Sequence, residues 1–93
     1  MKELDPRLHS QLRLAIMSIV MSVDEADFVY LKEKTDSTAG NLSVQIDKLA
    51  QAHYIDVERG FAGKRTRTIC RVTETGRKAF EEYVTALKSY INL

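Results

Sequence analysis

The sequence predicts a mainly helical α+β fold in which three helices are followed by a two-stranded hairpin and a closing helix. Apolar residues recur at helical spacing in residues 8–20, 42–49 and 79–91. Between the last two stretches, residues 54–58 alternate between apolar and polar side chains, and residues 66–72 are rich in threonine, isoleucine and valine, as in paired strands. The helical and strand patterns therefore come in a defined order along the chain.

The chain has 93 residues, of which 44% are hydrophobic, and this size predicts one domain over residues 1–93. A domain of this size buries only somewhat over half of its unfolded surface, so additional apolar faces favour a partner. No run is apolar for long enough to cross a bilayer, and the acidic start at residues 1–6 is unlike a signal peptide. We expect a cytoplasmic protein with no membrane contact. Cys70 is the only cysteine, so no intrachain disulfide can form.

The first helix is predicted over residues 6–21, because Asp5 is a good cap and Pro6 is well tolerated at the first helical position. Its main apolar face contains Leu8, Leu12 and Ile16. A second, narrower apolar stripe is available either for the last helix or for a second subunit. That stripe contains Leu14, Met17 and Met21.

A short second helix is predicted over residues 27–34 with Asp27 as its cap, and a third over residues 37–52 with Ser37 or Asp36 as its cap. One side of the third helix is apolar and should face the core. That side contains Leu42, Ile46 and Leu49.

The opposite side of the third helix is polar but lightly charged, and it is the first candidate binding surface. Asn41 and Gln45 carry amides that can read adenine edges in a DNA major groove, and Lys48 can contact guanine or phosphate. The alternative is an ordinary solvated helix face. The candidate contacts are Ser37, Thr38, Gly40, Asn41, Ser43, Val44, Gln45 and Lys48.

The hairpin is predicted over residues 54–73, with its turn at residues 60–63. Residues 1–58 carry 6 basic and 10 acidic side chains, whereas residues 59–93 carry 8 basic and 3 acidic ones. Five cations and no acid lie between Arg59 and Arg71, which concentrates positive charge suited to a phosphate backbone. The candidate phosphate contacts are Arg59, Lys64, Arg65 and Arg67.

The closing helix is predicted over residues 75–92, after a cap at Thr73 or Thr75. Its apolar stripe is too wide for a solvated tail and has heptad-like spacing. Together with the second stripe of the first helix, it is the candidate dimer interface. The residues are Leu14, Met17, Met21, Phe80, Tyr83, Val84, Leu87, Tyr90 and Ile91.

Two segments carry a resemblance to a known family: residues 38–43, with the sequence Thr-Ala-Gly-Asn-Leu-Ser, and residues 72–77, with the sequence Val-Thr-Glu-Thr-Gly-Arg. With the basic hairpin, they resemble winged-helix transcriptional regulators of the MarR and ArsR families. The resemblance implies that the third helix enters the major groove, that the hairpin, or wing, touches the backbone, and that terminal helices pair two subunits. His53 stands where many relatives have glycine, so we expect a left-handed backbone there.

Catalytic and metal-binding arrangements are not apparent in the sequence. No nucleophile, base and orienting residue form a recognisable set, so we expect no enzyme. Cys70, His9 and His53 lie on separate elements, so we expect no cofactor and no metal site within one subunit. A site shared between subunits through His9 stays open. The chain is shorter than typical MarR proteins, which leaves less room for the ligand pocket that some of them form, so the resemblance does not imply a small-molecule effector.

These observations predict a homodimeric regulator, most simply a repressor, that binds double-stranded DNA at an inverted-repeat operator. The alternative is a winged-helix module that binds another protein through its acidic first half and apolar terminal helices, without sequence-specific DNA binding. The mild net charge of +1 is compatible with that alternative.

Overall fold

A computed structural model describes residues 2–91 and confirms the predicted α+β order of helices and hairpin. Asn92, the predicted end of the last helix, lies outside the described residues. A short first strand that the sequence did not predict completes a three-stranded antiparallel sheet of order β1-β3-β2. The elements are α1 (Gln11–Ser22), β1 (Ala26–Asp27), α2 (Phe28–Thr35), α3 (Ala39–Gln51), β2 (Ile55–Ala62), β3 (Arg65–Val72) and α4 (Glu74–Ile91).

The first helix begins at Gln11, and the predicted start at Pro6 is wrong. Asp5 starts a single turn in which its carbonyl accepts from the amides of Leu8 and His9, both at 3.0 Å. Ser10 then takes an extended conformation, and its hydroxyl caps α1 by accepting from the amide of Arg13. Because the turn ends there, the Leu8 side chain enters the core, where it is fully buried.

The second and third helices meet at a tight left-handed turn. Asp27 caps α2 as predicted, accepting from the amide of Tyr30 at 2.8 Å. Asp36 has a φ of 52° and ends α2, so the chain needs two further residues before it can re-enter a helix. The cap of α3 is therefore Thr38, which accepts from the amide of Asn41 at 3.2 Å, and not Ser37 or Asp36.

The hairpin lies within the predicted residues 54–73, but its strands are longer and its turn is shorter than predicted, because the strands stay paired up to Ala62 and Arg65. The turn is Gly63-Lys64, and the predicted turn at residues 60–63 is wrong for residues 60–62. Gly63 has a φ of 67°. A positive φ at the first of two loop residues is typical of the type II′ turn, which suits the twist of a hairpin.

The core lies between α1, α3 and the inner face of the hairpin. The predicted inner side of α3 is buried there, together with Ile16, Val20 and Cys70. Met17 and Tyr83, both predicted for a dimer interface, are also buried in this core, with exposures of 0% and 4%. They offer no surface to a second subunit, which corrects that part of the prediction.

The start of α4 packs tightly against the segment before β2. His53 has a φ of 62°, as expected, and its carbonyl accepts from the hydroxyl of Thr73 at 2.6 Å. The same hydroxyl accepts from the amide of Gly76 at 2.9 Å and so caps α4. A Cβ on Gly76 would lie 2.0 Å from the carbonyl oxygen of Tyr54, so only glycine fits at this contact.

The last helix extends away from the core. The described chain measures 53 × 25 × 21 Å, and α4 accounts for roughly 27 Å of the long dimension at 1.5 Å per residue. Within residues 2–91, no helix is both long and apolar enough to span a membrane.

Candidate nucleic-acid interface

The outer side of α3 presents a continuous solvent-exposed surface, as the helical spacing predicted. Its centre contains Gly40 and Val44, opposite the buried side of the helix. The exposed predicted contacts also include Thr38, Asn41, Ser43 and Lys48. Ser37 differs, since it precedes the helix, is half-buried and shares a 2.8 Å hydrogen bond with the hydroxyl of Thr35.

The two amides predicted to read bases have different surroundings. Gln45 is half-buried, and its Oε1 accepts from Nη1 of Arg13 at 2.5 Å. Its Nε2 donates to Oδ1 of Asn41 at 3.1 Å. Gln45 is therefore held inside a hydrogen-bonded chain that positions Asn41, and Asn41 is the amide exposed for a base contact.

Asp47 is a residue of this surface that the sequence analysis missed. It lies one turn after Val44, and its side chain is 54% exposed. Its Oδ1 lies 3.2 Å from Nη2 of Arg59 on the wing. Helical spacing from Val44 was the available signal, since an i+3 position shares the same face.

The wing carries less free positive charge than the run of cations from Arg59 to Arg71 suggests, because acids of the hairpin and of neighbouring segments pair with several of them. Arg67 lies 3.8 Å from Asp27 of β1. Arg71 lies 3.4 Å from both Glu25 and Glu58. Exposed ion pairs of this kind contribute about 0–1 kcal/mol each. A DNA phosphate can therefore compete more readily for Arg67, which has one acidic partner, than for Arg71, which has two.

The wing tip is the part of the hairpin whose cations remain available. Lys64 and Arg65 are exposed, and within residues 2–91 no acid forms an ion pair with either of them. The tip is therefore the strongest candidate phosphate contact on the wing.

A second group of cations lies on the α1 side of α3, and the sequence analysis did not predict it. Arg7, Arg13 and Lys48 line an open cleft of about 300 Å³ beside the end of α3. The Arg13 guanidinium is oriented by the carbonyls of Arg7 at 2.7 Å and Pro6 at 3.4 Å. A tertiary contact between the N-terminal turn and α3 builds this cleft, so no local sequence pattern indicated it.

Tyr54 fixes the N-terminal turn that carries Arg7. Its hydroxyl donates to the carboxylate of Asp5. Burial is the main cause that raises the pKa of the Tyr54 phenol, so it stays protonated as the donor near neutral pH. The neighbouring Tyr54 hydroxyl raises the pKa of Arg7, which remains a cation at the edge of the cleft.

Metal-binding and redox chemistry have little support in the described chain. Within residues 2–91, no three histidine, cysteine, aspartate or glutamate side chains converge on a point that could hold a metal ion. Cys70 is buried, and desolvation raises its pKa to about 11. Its thiol is therefore protonated and unreactive at neutral pH.

With Met17 and Tyr83 buried in the core, the predicted dimer surface consists of the half-buried and exposed residues of α1 and α4. Leu14, Met21, Phe80 and Val84 are half-buried. Nearer the end of α4, Leu87 and Tyr90 are exposed by 36% and 40%, and Ile91 by 71%. Tyr90 also donates its hydroxyl to the carbonyl of Lys2 at 2.8 Å, which ties the N-terminal segment to this helix.

An exposed helix supported by two others, followed by a basic hairpin and a closing helix, defines a winged helix-turn-helix domain. Residues 12–91 match the family model described as "Winged helix DNA-binding domain", and the chain belongs to this family. It is thus a DNA-binding domain of the winged-helix type.

The chain is also similar to individual proteins of archaea. It is 32% identical over 76 residues to an uncharacterized protein of Methanocaldococcus jannaschii, covering 82% of this chain and 83% of the relative. The solved structure of a transcriptional regulator homologue from Pyrococcus horikoshii OT3 superimposes with a TM-score of 0.84 at 27% identity, covering 92% of this chain and 85% of that one.

A second solved structure supports the fold. The transcriptional regulator BldR from Sulfolobus solfataricus has a TM-score of 0.68 and 23% identity, covering 92% of this chain and 64% of its own.

Proposed function

We propose that this chain is a homodimeric transcriptional repressor that reads an inverted-repeat operator in double-stranded DNA. The observation that carries the proposal is the exposed face of α3 between two groups of cations. On one side of α3, Asp47 contacts Arg59 of the wing, which carries Lys64 and Arg65 at its tip. On the other side, Gln45 contacts Arg13, which lines the cleft with Arg7 and Lys48. A cationic flank on each side suits a helix placed between the two phosphate walls of a major groove.

The dimensions of α3 support insertion into the major groove. Its 13 residues span roughly 20 Å at 1.5 Å per residue, which exceeds the major-groove width of about 12 Å. The middle of the helix can then contact base edges while its ends reach the backbone. Asn41 is suited to adenine, and Val44 to a thymine methyl group. Thr38 and Lys48 are suited to phosphates on either side.

The cations of the wing add phosphate contacts that carry no sequence information of their own. Lys64 and Arg65 provide the charges at the tip, while Arg59 and Arg67 would exchange their carboxylate partners for phosphates. This exchange is favourable when the contact between arginine and phosphate is more stable than the surface ion pair that it replaces. Surface ion pairs are weak and charge-assisted contacts with phosphate are strong, so this condition is met.

Pairing of two subunits is proposed to use the exposed end of α4, with Leu14 and Met21 of α1 at its edge. The apolar side chains of Leu87, Tyr90 and Ile91 extend past the core and are suited to a second copy of the same stripe. Two-fold symmetry of the protein requires an inverted repeat, with half-sites about 34–36 Å apart. Occupying such a site at a promoter excludes polymerase, and the protein would act in the cytoplasm, where its operator lies.

Selection of random duplex DNA by the purified protein at physiological salt tests this proposal. Enrichment of a symmetric motif is the expected result. A matched variant with Asn41→Ala should lose the preference at one position of each half-site while still retaining DNA. Retention without any enriched motif would contradict sequence reading, and no retention at all would favour the protein-interaction alternative.

A further inference from the structure

Phe61 is the most exposed large apolar side chain among residues 2–91. It is 77% exposed, compared with 71% for Ile91 and 63% for Val29. It does not contribute to the hydrophobic core. An exposed aromatic ring at the end of a basic hairpin is therefore a candidate contact for a partner.

The register of the hairpin places Phe61 on the same side as the recognition helix α3. Side chains alternate along a strand, so Ile55, Val57, Arg59 and Phe61 share one face of β2. Ile55 is buried in the core, and Arg59 reaches Asp47 on the outer surface of α3. Phe61 follows two residues later, roughly 6.6 Å further along the strand, and so projects beyond the protein on the α3 side.

The residues around Phe61 make the hairpin tip narrow and basic. Gly60, Ala62 and Gly63 have little or no side chain, and a Cβ added to either glycine would meet no atom within 4 Å. Lys64 and Arg65 follow directly and are exposed. A narrow tip with two cations and one aromatic ring complements a polyanionic groove whose walls are lined by apolar sugar rings.

We propose that Phe61 is an apolar wedge that enters the DNA minor groove beside the major groove occupied by α3. Its ring packs against sugars and base edges, and Lys64 and Arg65 hold the phosphates on either side. Apolar side chains inserted from the minor groove favour steps that deform easily, such as TA and CA/TG, and A·T pairs lack the guanine amino group that obstructs the groove. The operator should therefore prefer such steps under the wing. This inference rests on the proposed function.

A tryptophan reporter tests the placement of residue 61. The chain contains no tryptophan, so Phe61→Trp provides the single indole signal and keeps an aromatic ring at the tip. On addition of the selected duplex, acrylamide quenching of this tryptophan should fall severalfold, and its emission should change. Glu81→Trp, on the exposed side of α4, is the control and should be quenched equally with and without DNA.

A second pair of variants separates the ring from the charges. Phe61→Ala should weaken binding by about tenfold, a free-energy difference of about 1.4 kcal/mol, and remove the preference for deformable steps. The salt dependence should stay unchanged, since no phosphate contact is lost. Phe61→Leu should restore much of the affinity. Because the side chain is exposed, neither change should disturb folding.

Three outcomes would overturn the wedge. The first is a tryptophan at position 61 that stays as accessible in the DNA complex as in the free protein. The second is wild-type affinity and sequence preference in Phe61→Ala. The third is protection of the tryptophan without DNA, by self-association or by lipid vesicles. In the first two cases the wild-type protein still retains its duplex, so the proposed function would stand while the wedge would fail.

Discussion

Nη2 of Arg59 on the wing lies 3.2 Å from Oδ1 of Asp47 on α3. This pair joins the two elements expected to contact DNA, and Asp47 is the one acid in the sequence of α3. The Asp47 carboxylate opposes DNA binding in two ways. It repels the DNA phosphates, and it pairs with the Arg59 guanidinium, which could otherwise bind one of them.

Asp47→Asn should therefore strengthen DNA binding severalfold, because Arg59 can then contact a phosphate without first leaving a carboxylate, while the number of phosphates counted by the salt dependence stays the same. The measurement is affinity for the selected duplex across a salt series. Asp56→Asn, an exposed acid of β2 that forms no ion pair within residues 2–91, is the matched control and should change neither quantity. A loss of affinity in Asp47→Asn would indicate instead that the carboxylate accepts from a cytosine amino group.

Cations at the wing tip and at its base should contribute differently. The double variant Lys64→Gln and Arg65→Gln should weaken binding to all sequences. The salt slope, which is the slope of log affinity against log salt concentration, should become shallower by about 1.8, or 0.9 for each phosphate contact that is lost. Arg71→Gln should leave the slope nearly unchanged, because Glu25 and Glu58 already hold that guanidinium. Equal slopes for the tip variant and the wild-type protein would remove the wing from the mechanism.

The cleft beside α1 should act as a second phosphate contact. Arg7→Gln combined with Lys48→Gln removes two of its three cations, and the salt slope should fall by about one to two phosphate equivalents. Arg13 is left intact because it hydrogen-bonds Gln45 and the N-terminal turn. Lys78→Gln with Lys88→Gln, on α4, removes the same charge elsewhere. An identical slope change in both double variants would indicate a general charge effect and no specific contact.

Self-association should depend on the exposed end of α4. We expect a dimer at micromolar concentration in sedimentation velocity, and Leu87→Asp should convert it to a monomer by placing a charge in the apolar stripe. Thr85→Asp adds the same charge at an exposed position on the opposite side of the helix and should leave the dimer intact. A monomeric wild-type protein would contradict pairing through this helix.

Local features of the fold were predictable from the sequence, whereas tertiary contacts were not. Asp27 as a helix cap and the buried side of α3 follow from neighbouring residues alone. The late start of α1 accompanies burial of the Leu8 side chain in the core, and the helical spacing of nearby residues does not indicate that tertiary contact. The charge of the wing likewise depends on Asp47, which lies 12 residues before Arg59.

The residues of the predicted site likewise divide into those placed by local helical spacing and those placed by tertiary contacts. Helical spacing identified the exposed face of α3, because one helix determines which of its residues share a side. It did not show that Gln45 is engaged by Arg13, 32 residues away in the sequence. The cleft with Arg7 and the burial of Tyr83 also arise from packing between distant segments.

Gly76 provides the sharpest test of the packing between α4 and the rest of the domain. A Cβ at this position would lie 2.0 Å from the carbonyl oxygen of Tyr54 and 2.7 Å from its carbonyl carbon. That carbonyl also accepts from the amide of Thr73 at 3.1 Å, so it cannot move away without losing a hydrogen bond. Gly76→Ala should therefore lower the free energy of unfolding by about 3 kcal/mol, at the upper end for overpacking.

Gly40→Ala is the matched control, because it makes the same change in the first turn of α3, where an added Cβ meets nothing within 4 Å. It should raise the free energy of unfolding by about 0.5–1 kcal/mol, since alanine loses less backbone entropy than glycine in a helix. Urea denaturation of both variants measures the two effects. Similar midpoints for Gly76→Ala and the wild-type protein would mean that α4 can shift away from Tyr54, and the position of the closing helix would then not depend on this contact.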